Sequence, residues 1–207
     1  MYNLSMAFII SADDIKKTLL GYVPEKSEFF HRESAKLADV QFAAALKDRP
    51  EKTVVLMAGG TASGKTEYVS AYLQKRRVII FDGTLPTLEG AEIKIRKCLK
   101  AGKIVEVHLV LPASVLVAFI AFLNRDRKFS LEHFYRTHSS SRRTVLEIAR
   151  AYPDIPVEIY VSDVDYVGSD SSMSFLHLAF DDRSELVEFL TKYQYTEQEI
   201  MKEVFNT

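Results

Sequence analysis

Residues 53–66, Thr53-Val-Val-Leu-Met-Ala-Gly-Gly-Thr-Ala-Ser-Gly-Lys-Thr66, set the architecture. An apolar, β-branched run reads as a buried strand, and the stretch Glu67 to Gln74 after the glycines is compatible with a helix. Between them, Gly59, Gly60, Thr61, Ala62, Ser63, Gly64, Lys65 and Thr66 fit the spacing G-x-x-x-x-G-K-[ST]. Glycines let a backbone wrap closely around a polyphosphate, with successive N–H groups and a helix N-terminus aimed at its oxygens. A lysine at position seven then reaches the outer phosphates, and the next hydroxyl ligates Mg²⁺. The spacing arises by chance in about one chain of this length in a hundred, so ATP and Mg²⁺ are the expected cofactors. Loop residues Gly59 to Thr66 and the neighbouring Glu67 are the expected nucleotide contacts, with Thr66 on the metal.

Working outward, strands are expected at Thr53–Ala58, Val78–Phe81, Ile104–Leu111 and Val157–Val161. Helices are expected at Lys65–Lys75, Leu88–Lys100, Ala113–Asn124 and Ser141–Ala151. Such alternation predicts an α/β fold of the P-loop NTPase type, with a parallel sheet of about four to five strands and helices on both faces. Before it lies an N-terminal helical extension, residues 1–50, packed on a core of residues 51–207 in one domain overall. Within the extension, Ser11-Ala-Asp-Asp14 resembles a capping box that opens a short helix ending near Gly21. From Ser27 to Lys47 a second helix is expected to bury Phe29, Phe30, Leu37, Val40, Ala44 and Leu46. After Tyr166 the pattern weakens. Gly168 to Ser172 reads as a polar loop, Met173–Phe180 as an added strand, and Asp182–Val204 as a closing helix interrupted near Tyr193–Thr196.

Composition limits the function classes. The chain has 207 residues, is 47% hydrophobic and 27% charged, and carries a formal net charge of −1. That length suits one sizeable core, and that charge leaves no footprint of nucleic-acid binding. Cys98 is the only cysteine, which excludes an internal disulfide and a cysteine metal cluster and suits a reducing, cytoplasmic location. Met1 to Ile10 lacks a basic start and a small-residue cleavage site, so no signal peptide is expected. Ile104 to Leu123 is apolar enough to suggest a membrane span. Glu106, His108 and Pro112 interrupt it, and a buried strand followed by a helix opening at Pro112 explains it better. Neither a nucleic acid nor a membrane is expected as a partner.

Two further groups bear on chemistry. Asp82, Gly83 and Thr84 follow the Val78–Phe81 strand, on the sheet edge where the glycine loop ends its own strand. Asp82 there can hold the Mg²⁺ shell or accept a proton from an attacking hydroxyl, while Gly83 and Thr84 admit and bind substrate. The alternative is an Asp-Gly turn that merely caps a strand. Arg125, Arg127, Lys128, Arg136, Arg142 and Arg143 form an arginine-rich stretch. It reads either as a lid over transferring phosphoryl oxygens, with Arg125 and Arg127 the preferred residues, or as a solvated basic face. Histidines 31, 108, 133, 138 and 177 show no metal-ligand spacing, and His133 and His138, five apart, lie off one helical face. His31-Arg-Glu-Ser34 reads first as a surface salt-bridge face, with lining of the cleft as the alternative.

On these residues the chain resembles the zeta-toxin family of P-loop phosphotransferases, which includes UDP-N-acetylglucosamine kinases. The resemblance runs from about Thr53 to Asp163. It implies that GGTASGKT is the ATP-phosphate loop, that VIIFDGTL (Val78–Leu85) helps seat a sugar-nucleotide substrate, and that FLNRDR (Phe122–Arg127) carries lid arginines. It also implies an antitoxin-like protein partner, while the chemistry of the residues themselves makes Lys65, Asp82, Arg125 and Arg127 the expected catalytic residues. Two departures stand out. Family members carry a further strand, ending in the proposed catalytic aspartate, between the P-loop helix and the acid-Gly-Thr strand, whereas here Arg76 runs almost directly into Val78. The lid is also short, with Arg125 and Arg127 nearly adjacent. The expected activity is transfer of the ATP γ-phosphoryl group to a small-molecule hydroxyl. A nucleotide-binding sensor without transferase activity is the alternative, and an NTP-hydrolysing switch the third reading.

Overall fold

A computed structural model describes residues 6–167 and 170–205. The chain folds as an α/β structure around a mixed, mostly parallel sheet of six strands among the described residues. In chain order these are β1 (Phe8–Ser11), β2 (Thr53–Ala58), β3 (Val78–Asp82), β4 (Ile104–Pro112), β5 (Val157–Val167) and β6 (Asp170–Leu178). Their spatial order is β1-β3-β2-β4-β5-β6, parallel except for the antiparallel β5–β6 pair. The helices are α1 (Ala12–Lys17), α2 (His31–Asp48), α3 (Lys65–Tyr68), α4 (Leu88–Lys100), α5 (Val115–Leu123), α6 (Leu131–Ala151), α7 (Arg183–Lys192) and α8 (Glu197–Phe205).

Alternation along the central strands builds two layers. Val54, Leu56 and Ala58 of β2 join Ile79, Val107 and Leu109 on the face covered by α2, α4, α6 and α7. Val55, Met57, Val78, Ile80 and Val110 point the other way, onto Tyr68, Val69 and Leu73. Strands buried on both faces read as continuous apolar runs, which is why β2 is so plain in the sequence. The second layer is thinner, because α3 is a single turn continued as a π-helical turn over Val69–Leu73. That junction corrects the expected uninterrupted helix Lys65–Lys75. A third apolar group joins α5 to the start of α6 and to α8 through Phe119, Phe122, Phe134 and Ile200.

The sheet therefore has more strands than the expected four to five, and the N-terminal region supplies one of them. Its β1 pairs in parallel with β3, placing Ser11 opposite Asp82. A four-residue edge strand, Phe-Ile-Ile-Ser, carries too little periodicity to announce itself. No strand lies between α3 and β3, and β1 takes the position on the outer side of β3. The capping reading holds: the Ser11 hydroxyl accepts from the Asp14 N–H at 3.3 Å and opens α1.

Four other expectations are corrected. Helix α2 buries Ser34, Ala38, Phe42, Ala45 and Leu46, so of the expected face only Phe30 and Leu46 are buried, and Phe29 is 81% and Val40 66% exposed. Small side chains allow α2 to lie close to the sheet, and a hydropathy pattern undervalues them. Helix α6 starts ten residues before the expected Ser141, because its polar residues are buried by hydrogen bonds to the glycine loop and to its own backbone. Strand β4 runs through Pro112, which pairs with Ser162, and α5 opens at Val115 because the Ser114 hydroxyl caps the Val117 N–H. Residues 170–172 of the expected polar loop are strand, while Gly168 and Ser169 lie outside the described residues. The closing helix is interrupted as expected, between Lys192 and Glu197. Among the described residues no helix is long and apolar enough to cross a membrane.

Candidate functional site

The glycine loop leaves β2 at the carboxyl edge of the sheet, where ligands of parallel α/β proteins bind. Its path needs left-handed backbone at Gly59 (φ 134°), Ala62 (φ 63°) and Gly64 (φ 84°). At Gly59 a side chain would also strike the Val110 carbonyl, and at Gly64 a β-carbon would come 2.6 Å from the Met173 sulfur. The loop is buttressed from two sides. On one, the Thr61 N–H donates to the Thr137 hydroxyl (3.1 Å) and His138 Nε2 donates to the Thr61 carbonyl (2.9 Å). On the other, the Ser162 hydroxyl donates to the Ser63 carbonyl at 2.9 Å.

The N–H groups of Gly64, Lys65 and Thr66 begin α3, where a helix has no carbonyls of its own to offer them. Lys65 Nζ folds against the loop, donating to the Gly59 carbonyl (2.9 Å), the Gly60 carbonyl (2.6 Å) and the Ser63 hydroxyl (3.4 Å). Burial lowers the Lys65 pKa to about 8, partly offset by the nearby Asp82 carboxylate. Burial likewise raises Asp82 to about 6, with Lys65 opposing and Asp13, Asp14 and Glu67 adding to the rise.

One cleft gathers most of the expected residues. Thr61, Ala62, Ser63, Gly64, Lys65, Thr66, Asp82, Gly83, Thr84, Arg125 and Arg127 all line it. Its volume is about 100 Å³, room for a phosphate-sized group rather than a whole nucleotide. Gly59 and Gly60 shape the loop from behind, through the carbonyls that hold Lys65. Glu67 is exposed in the first turn of α3 and faces solvent instead of the cleft, so it acts on Lys65 and Asp82 only through its charge.

The arginine-rich stretch divides cleanly. Arg125 lines the cleft with no carboxylate partner among the described residues, and Arg127 lines it while ion-paired to Asp13. Elsewhere, Arg142 is buried, donates to the Tyr193 carbonyl at 3.1 Å and lies 4.7 Å from the Tyr195 ring centroid. Lys128 Nζ donates to the Arg125 carbonyl at 2.8 Å and to the last carbonyl of α5, Leu123, at 3.4 Å.

Sequence reading missed several cleft residues. Asp13 enters because β1 is an edge strand; burial pushes its pKa up, but Arg127, Lys16 and Arg125 outweigh that and hold it below the ordinary value. His31 also lines the cleft, meeting Phe129 and His133 edge-on, which replaces the expected salt-bridge face. His133 and His138 show no metal-ligand spacing. Yet His133 lines the cleft, burial lowering its pKa to about 4, and His138 is driven to about 3 by burial while bracing the loop. The capping box Ser11–Asp14, which contains Asp13, is legible in the sequence as a helix start, but nothing in it marks the cleft.

The arrangement suits an oxygen-rich anion: the first N–H groups of α3, an ammonium, a guanidinium with no carboxylate partner among the described residues, and a carboxylate raised to about 6. No protein-family model matches the chain, and no curated protein is significantly similar to it in sequence.

Proposed function

We propose that the chain is a P-loop phosphotransferase that moves the γ-phosphoryl group of ATP to a hydroxyl of a small molecule. One observation carries this reading. The glycine loop with Lys65 and Thr66, the Asp82 carboxylate and the guanidinium groups of Arg125 and Arg127 meet in one cleft at the carboxyl edge of the sheet. Lys65 and the N–H groups of residues 64–66 hold phosphate oxygens. Arg125 and Arg127 face the charge that spreads over the transferring group.

The residues fit Mg²⁺ as a hard cation shared with phosphates. Thr66 and Asp82 offer oxygen donors, and no group of three His, Cys, Asp or Glu side chains among the described residues could hold a metal without help. When bound, Mg²⁺ neutralises phosphate charge. Asp82 has a second role open to it, since a carboxylate with a pKa near 6 accepts a proton from an acceptor hydroxyl at neutral pH. Gly83 and Thr84 line the wall beside it and leave space for that hydroxyl. The acceptor class that the zeta-toxin resemblance suggests, a nucleotide sugar, belongs to this proposal, as does an antitoxin-like partner.

A second reading is a nucleotide-binding sensor without transfer. It is favoured by the direct run from α3 into β3, which leaves no strand in the position where family members carry their base. Incubation with labelled ATP, Mg²⁺ and a panel of hydroxyl acceptors separates the two. Label moving to an acceptor supports the kinase. ATP binding with no transfer to any acceptor supports the sensor.

A further inference from the structure

Between α5 and α6, residues 124–130 carry both cleft arginines, and the N-terminal region grips them at several points. Arg127 is ion-paired with Asp13, and the Lys128 N–H donates to the Pro24 carbonyl at 3.1 Å. The Ser130 N–H and hydroxyl donate to the two Glu28 carboxylate oxygens at 3.0 and 3.1 Å. Phe129 lies under the buried Lys16 ammonium, 4.8 Å from its ring centroid, and stacks on His133 at 4.3 Å. Lys16 itself is bound to Asp13 at 3.1 Å. Asp13 therefore sits between two cations, and both reach the same short segment, Arg127 directly and Lys16 through Phe129.

This geometry has a physical consequence. A connecting segment with few apolar anchors of its own is mobile unless something holds it, and an arginine contributes to catalysis only when its fork is held in place. Asp13 is itself fixed, because Ser11 is in register with Asp82 and caps α1 two residues before it. The edge strand thus transmits the position of the sheet to the arginine segment. We propose that Asp13 is a positioning residue: through Arg127 it clasps the 125–130 segment over the cleft, so that the N-terminal region does the work of an ordered lid. The functional meaning of this clasp rests on the phosphotransferase reading, but the clasp itself does not.

Trypsin tests it, since Arg125, Arg127 and Lys128 are its own cleavage points. Cleavage at Arg125 and Lys128, followed by mass spectrometry on the folded full chain, should quicken by roughly tenfold in Asp13→Asn and in Arg127→Met. Asp13→Glu should restore protection, and the Asp13→Asn/Arg127→Met double variant should cleave no faster than Asp13→Asn, which already loses the Arg127 pair along with the Lys16 contact. Wild-type digestion rates in Asp13→Asn, or effects that multiply in the double variant, would overturn the proposal. Mg·ATP titration adds the functional arm. Arg127→Met should weaken binding about tenfold in the wild type but less than about twofold in Asp13→Asn, as expected for groups acting as a unit. An equal loss in both backgrounds would contradict positioning through Arg127. Absence of ATP binding in every variant, with the trypsin pattern intact, would refute the phosphate reading and leave the clasp standing.

Discussion

The ring of His138 stands so close to Gly60 that a β-carbon on Gly60 would come within 2.2 Å of its ring carbons. The same ring donates to the carbonyl of the next residue, Thr61, so His138 both shapes the loop and excludes any side chain from it. Gly60→Ala should destabilise the fold by about 1–3 kcal/mol, the usual cost of overpacking, and abolish ATP binding by displacing the loop. Removing the ring makes room, so adding His138→Ala should recover part of that stability. Urea denaturation of the two single variants and the double variant measures the coupling, and strictly additive losses would show that the two residues do not compete for this space.

Lys65 holds the loop through three contacts without being part of the core. Lys65→Ala should leave circular dichroism unchanged and weaken Mg·ATP binding by about 10- to 100-fold, the worth of a charge-assisted hydrogen bond in a shielded site. Calorimetric titration checks it.

Asp82 should be a stability liability. Its pKa rises from 3.8 to about 6 on folding, so the folded state holds the proton more tightly than the unfolded state. The resulting stabilisation is complete below pH 3.8 and disappears as pH rises through 6. Above pH 6 the buried charge costs up to about 3 kcal/mol. Asp82→Asn should therefore raise Tm at pH 7.5 by several degrees, at roughly 2–4 °C per kcal/mol for a chain of this size, with the gain shrinking toward pH 4. Scanning calorimetry at the two pH values reads it directly, and an equal shift at both would rule out this origin.

The pH dependence of kcat/KM follows from the same two groups. On the phosphotransferase reading, Asp82 acts deprotonated and Lys65 charged, so the profile should rise through about pH 6 and fall above about pH 8. A profile flat across this range would detach both groups from the reaction.

Thr53–Ala58 and Leu88–Lys100 were read to the residue, because a strand buried on both faces and an amphipathic helix with a Thr87 cap each advertise themselves locally. Residues Thr61 to Thr66 of the loop, Asp82, Arg125 and Arg127 announce their chemistry by residue type and do meet in one cleft. Asp13, His31 and His133 do not announce themselves, because they reach it only through pairings distant in sequence: β1 with β3, and the α2 region with the start of α6. The polar half of α6 was lost for a related reason. Thr137 and His138 are buried because the glycine loop satisfies them, and no hydropathy pattern records a partner 76 residues away.

The central claim, that Asp82 turns triphosphate binding into transfer, is tested most directly by comparing wild type with Asp82→Asn in one assay of ATP binding and γ-phosphoryl transfer. Asp82→Asn should bind Mg·ATP within a fewfold of wild type and lose about 10²- to 10⁴-fold in turnover, the usual contribution of a positioned base. Turnover equal to wild type in Asp82→Asn, or no ATP binding by the wild-type chain, would contradict it.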